Sequence, residues 1–157
     1  MAVTNTPIFP QAIFGTGCTV SHGTGLVLFC AAGTATGTMI PCFVPGANGA
    51  ILTALMVQNL DTATCTMAVM LSTGGGGGTF VQVLGVAAVS GAGQGTGYNV
   101  PPANLLNGTQ GLVNLPYDSC GNRILYVAAG STLNVGLLST IINGSAVMNV
   151  VAIGGNL

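Results

Sequence analysis

Few residues in this sequence can do acid–base, nucleophilic or metal chemistry. They are Asp61, Asp118, Arg123, His22 and the cysteines Cys18, Cys30, Cys42, Cys65 and Cys120. General acid–base catalysis needs two titratable groups in one pocket. Asp61 lies in Asn59-Leu60-Asp61-Thr62, and Asp118 follows Pro116-Tyr117. Both segments read as turns, where Asp commonly bonds its own backbone. His22 stands where an apolar run gives way to glycines. It reads as a loop residue, the alternative being a thiolate pair with Cys18 or Cys30. A zinc site needs four ligands at recognisable spacing, whereas the chain has one His and no Cys-x-x-Cys. The glycine run Gly74 to Gly78 is not a phosphate cradle, because that loop ends in Gly-Lys-Ser/Thr and the sequence has no Lys. No catalytic, cofactor-binding or metal-binding set emerges, and the expectation is a protein that is not an enzyme. Arg123, the only cation among Lys and Arg, has two readings. It pairs locally with Asp118, or it makes an inter-subunit contact, where Arg is enriched.

These residues must be carried by a scaffold of unusual composition. Charged residues make up 2% of the 157, and half of the chain is hydrophobic. Ordinary soluble domains carry about 25% charged residues, and a net charge near zero promotes association. The expected surface is therefore neutral and polar, or covered by other chains. One Arg cannot neutralise a run of phosphates, so nucleic acid is not an expected partner. Nor is a membrane. The longest clean apolar run, Leu26 to Ala32, has seven residues, against about 20 for a spanning helix. The opening Met-Ala-Val-Thr-Asn-Thr-Pro lacks the basic-then-apolar pattern of a signal peptide. Five cysteines is an odd count, which argues against a complete disulfide framework. Reduced, buried thiols are expected, consistent with assembly in a cytoplasm.

Helix periodicity is absent, and short runs of Val, Ile, Leu, Thr and Phe between Gly, Asn and Pro predict strands. The predicted strands are Ala12 to Val20, Leu26 to Ala32, Thr38 to Val44, Ala50 to Asn59, Thr64 to Ser72, Thr79 to Val89, Arg123 to Ala129, Thr132 to Leu138 and Ala146 to Ile153. Cys65, Met67, Val69 and Leu71 share one face and should point at the core. Asn59 to Thr62 is expected to close a hairpin. Ser90 to Asn122 holds no clear strand. Within it Asn104 to Asn107 reads as a helical turn, and Leu112 to Pro116 as a short strand. The fold class is all-β, an antiparallel β-sandwich over residues 12–157 forming one domain. Residues 1–11, with two prolines, read as an extended N-terminal arm. Pro7, Ile8, Phe9 and Pro10 are its candidate assembly contacts.

Three stretches carry a resemblance. Thr4-Asn5-Thr6-Pro7-Ile8-Phe9-Pro10-Gln11, the turn Gly46-Ala47-Asn48-Gly49-Ala50, and Val150-Val151-Ala152-Ile153-Gly154-Gly155-Asn156-Leu157 occur in that order. Together they resemble small virion proteins of tailed bacteriophages and prophages. The resemblance implies a capsid decoration (cement) protein with a jelly-roll-like sandwich. It further implies a homotrimer on the outside of the lattice of the major capsid protein, assembled in the host cytoplasm. A tail or fibre adhesin is the alternative. That role would use tyrosines for stacking, among Tyr98, Tyr117 and Tyr126.

Overall fold

The computed structural model describes residues 12–21, 27–29, 35–37, 39–73, 80–91, 102–107, 112, 115–139, 141 and 146–157. Among them there is no helix. The strands are β1 (Ala12–Ser21), β2 (Val27–Phe29), β3 (Ala35–Gly37), β4 (Ile40–Phe43), β5 (Ala50–Asn59), β6 (Cys65–Thr73), β7 (Phe80–Val89), β8 (Ala103–Asn104), β9 (Leu125–Val127), β10 (Ser131–Leu137) and β11 (Val147–Asn156).

They form two antiparallel sheets and a two-stranded ribbon, β2–β3. The five-stranded sheet runs β1-β11-β5, with β8 and β9 both paired to the far edge of β5. The first and last strands pair along their whole length, from Ala12 opposite Asn156 to Ser21 opposite Val147. The four-stranded sheet runs β4-β10-β6-β7. One core serves both sheets. Leu52, Leu55 and Val57 of β5 and Met148, Val150 and Ala152 of β11 enter it from one side. Met67 and Val69 of β6 and Leu133, Val135 and Leu137 of β10 enter it from the other. Alternation along these strands makes this possible, since every second side chain faces the same way.

The predicted core face of β6 is observed, with Cys65, Met67 and Val69 fully buried and Leu71 packed against them. The opposite face is buried as well. Ala68 and Met70 form a second small cluster with Met39 and Leu138. Asn134 lies beside them and donates to Ser72 Oγ at 2.8 Å and to the Thr132 carbonyl at 2.9 Å.

The predicted hairpin at Asn59 to Thr62 is not one. It carries the chain from β5 in one sheet to β6 in the other. Buried Asn59 builds this crossing. Its Nδ2 donates to the Ala63 carbonyl at 2.9 Å and the Val89 carbonyl at 3.0 Å, while its Oδ1 accepts from Asp61 N at 2.9 Å. The Pro45 to Gly49 turn also crosses between sheets, from β4 to β5. Gly49 adopts a φ of 91° there, a conformation that favours glycine. Asn156 Oδ1 accepts from Gly46 N at 3.1 Å, so the end of β11 holds this turn in place.

Within Ser90 to Asn122, β8 was not expected. The segment Asn104 to Asn107, predicted as a helical turn, is a non-helical turn leaving β8, closed by Asn107 N donating to the Asn104 carbonyl at 3.2 Å. Of the anticipated strand from Leu112 to Pro116, residues 113 and 114 lie outside the described residues, and Leu112, Leu115 and Pro116 belong to no strand; Tyr117 bridges to Arg123.

Candidate functional site

Two surfaces stand out. The first is the outer face of the five-stranded sheet. Tyr126 of β9 lies opposite Ile51 of β5, Ala54 opposite Ile153 of β11, and Met56 opposite Val151. Val151, Ile153 and Tyr126 are 39%, 38% and 50% exposed, which is high for large apolar side chains in strands. On the β1 side, Val151 faces Gly17 and Ile153 faces Gly15. Neither glycine offers a side chain to cover its neighbour. A Cβ on Gly15 would meet nothing within 4 Å. Polar groups bound the strip at one end, where Thr19 Oγ1 donates to Asn149 Oδ1 at 3.3 Å. No charged residue lies on this face, because Asp61, Asp118 and Arg123 all fall outside these strands. The result is a neutral, largely apolar surface.

The second surface is a cleft of about 320 Å³ lined by Asn107, Tyr117, Gly121, Asn122 and Arg123. A compact loop builds it. Tyr117 bridges to Arg123, Asp118 N donates to the Asn122 carbonyl at 2.8 Å, and Gly121 turns the chain at a φ of 82°. Asp118 does not pair with Arg123, contrary to one of the two expectations. Its Oδ1 accepts from Cys120 N at 2.9 Å and Asn122 N at 2.7 Å, and its Oδ2 accepts from Asn122 Nδ2 at 3.2 Å. The backbone N–H of Asn122 is the main reason that the carboxyl is held below its ordinary range. Arg123 turns to Tyr117 instead. Its Nε donates to Tyr117 Oη at 3.2 Å, its guanidinium sits 5.7 Å from the ring centroid, and its Nη1 donates to the Leu112 carbonyl at 3.1 Å.

Pro7, Ile8, Phe9 and Pro10 of the predicted arm lie outside the described residues, as do His22, Cys30, Tyr98 and the run Gly74 to Gly78. Asp61 and Asp118 are far apart in role: Asp61 is buried at the β5–β6 crossing, and Asp118 shapes the exposed loop. Of the cysteines, Cys42 and Cys65 are buried as expected and Cys18 is half-buried, but Cys120 is exposed. Burial, with Asp61 nearby, pushes the Cys65 thiol up. Among the described residues no group of His, Cys, Asp and Glu could hold a metal ion. No helix among them is long and apolar enough to cross a membrane. Sequence reasoning missed the apolar outer strip, whose only early signal is the unbroken run Val150 to Ile153. The chain matches no protein-family model, no curated protein and no solved structure.

Proposed function

We propose that this chain is a structural subunit of a virus particle, a capsid decoration protein that seats on the outside of a major capsid lattice. The observation that carries the reading is the neutral, apolar outer face of the five-stranded sheet. Such a face is suited to being covered by another chain, since exposed apolar area of this kind marks interaction surfaces. The near-absence of charge supports the same reading, because a subunit buried in an assembly does not need charge to stay soluble. The core shared by two antiparallel sheets supports a sandwich, jelly-roll-like in the reading offered here. A homotrimer would cover three such faces at once. The extended arm of residues 1–11, with Ile8 and Phe9, would reach a neighbouring subunit. Arg123, held by Tyr117, would help to fix register at that contact. Catalysis has no part in this role, and neither do nucleic acid or membrane.

Incubating the purified chain with particles that lack it, and counting copies by cryo-electron microscopy, tests this. Hundreds of copies on the lattice are expected. Deleting residues 2–10 should leave the domain folded and weaken particle binding. Unchanged binding by the truncated chain would remove the arm from the account.

A second reading is favoured by one observation. The cleft at Tyr117, Arg123, Asn107 and Asn122 combines an exposed aromatic ring with amide and guanidinium donors, a composition suited to a host glycan. In that case the chain is a tail or fibre adhesin, present in a few to dozens of copies. Binding of a glycan library that is lost in Tyr117→Ala would favour it.

A further inference from the structure

β1 is the outer strand of the five-stranded sheet and β4 the outer strand of the four-stranded sheet. The two lie against each other, at one corner of the molecule. Cys18 projects from β1 and Cys42 from β4, and both pack on the shared core. Each thiol shifts the acidity of the other, as neighbours where β1 packs on β4. An adjoining cleft of about 520 Å³, lined by Thr16, Gly17, Pro41, Cys42, Phe43 and Asn156 among others, opens this corner to solvent.

We propose that Cys18 and Cys42 are a disulfide-forming pair that cross-links the two sheets when the protein meets a small-molecule disulfide. Three features fit. The pair joins strands of different sheets, where no backbone ladder holds them. Cys18 is half-buried and Cys42 is buried, yet Cys42 lines the solvent-open cleft beside them, so a small reagent can approach the pair. The neighbouring Cys42 thiol also holds Cys18 below the usual thiol range, against the effect of burial. Cys42 is pushed up by Cys18 and by burial.

The thiolate is the attacking species in exchange. Cys18 attacks one sulfur of the small disulfide, its S–S bond breaks, and one small thiolate leaves and takes a proton. Cys18 is then a mixed disulfide, and the leading reason for the raised Cys42 value is gone. Cys42 loses its proton to solvent and attacks the Cys18 sulfur, expelling the second small thiolate. Two protein thiols are oxidised and one small disulfide is reduced to two thiols. In a reducing compartment the reverse reaction keeps the pair open. The closed pair would span residues 18 to 42, a loop length for which a cross-link typically raises the melting temperature by about 5–10 °C.

The test uses the full chain, reduced, desalted and exposed to a series of oxidised-to-reduced glutathione ratios. Chymotrypsin is the protease for mapping under non-reducing conditions, since Leu26, Leu28 and Phe29 separate the two cysteines and Arg123 is the only tryptic site. The expected result is one cross-linked peptide pair, Cys18 to Cys42, with two thiols lost and a melting temperature raised by about 5–10 °C. A thiol reductant should reverse all three. Cys18→Ala should stay folded and show neither the cross-link nor the rise. If Cys18 and Cys42 remain thiols, or become separate glutathione adducts, the proposal is overturned. It is equally overturned if the bond formed joins any other pair.

Discussion

The side-chain amide of Asn59, at the end of β5, donates to the carbonyl of Val89, at the end of β7, across 3.0 Å. The two strands belong to different sheets, so this buried contact ties the sheets together at the corner where the chain crosses between them. The same amide satisfies the Ala63 carbonyl, and its Oδ1 receives the Asp61 N–H. Three backbone groups therefore depend on one side chain.

Asn59→Ala should accordingly be among the more damaging single substitutions. Stranded buried partners cost about 1–3 kcal/mol each, and some of that is recovered by water. A loss of about 2–4 kcal/mol is expected, read as an earlier midpoint in urea with an unchanged slope. A loss under about 0.5 kcal/mol, the range of ordinary surface changes, would show that the crossing does not need this amide.

Gly154 offers a second test of local geometry. β5 carries an extra residue, Thr53, at the bulge between Ile153 and Gly154. A Cβ on Gly154 would run into the backbone carbonyl of Ile51, which cannot move without breaking the ladder. Gly154→Ala should cost about 1–3 kcal/mol, in the range of overpacking. Gly15→Ala, where a Cβ meets open space, should fall within about 0.5 kcal/mol of the parent. Equal thermal stability of the two variants would contradict this assignment.

Much of the fold is legible in the sequence, and the parts that are not share a physical cause. The sequence pattern predicts β5 with its observed bounds, Ala50 to Asn59, and β1, β6, β7, β10 and β11 to within a few residues. Each has a sustained apolar pattern that local sequence displays. Short β3 and β8 have too few side chains to show a pattern. Sheet membership is non-local. Asn59 to Thr62 has the length and residues of a hairpin turn, yet β5 finds its partners in β11, β8 and β9 while β6 finds its own in β7 and β10. Similarly, Thr66, Ala68, Met70 and Ser72 alternate as an outward face should, but Ala68, Met70 and Ser72 are buried. The apolar strip on the other sheet is assembled from three strands that are distant in sequence. Arg123 and Asp118 looked like partners from spacing alone. Backbone N–H groups of the loop reach the carboxylate first.

The Asp118 loop should respond to acid in a defined direction. Its folded-state value is depressed below 3.8, chiefly by the Asn122 N–H. The order it lends the loop is therefore complete above the ordinary carboxylate range and is lost as pH falls through the lower, folded value. The amide signals of Cys120 and Asn122 should titrate together with a midpoint below 3.8. In Asp118→Asn that titration should vanish. A midpoint at or above the ordinary value would mean that the carboxylate is free of the loop.

In the proposed role the chain works by being covered along the outer face of its five-stranded sheet. Sedimentation velocity on the full chain and on Val151→Asp/Ile153→Asp tests it most directly, because both side chains lie on the outer face, outside the shared core. The parent should sediment as an oligomer, a trimer in the reading preferred here. The variant should sediment as a monomer, with the same far-ultraviolet circular dichroism and a melting temperature within a few degrees. Two monomers of identical behaviour at high concentration, or an oligomer indifferent to the two aspartates, would contradict the claim.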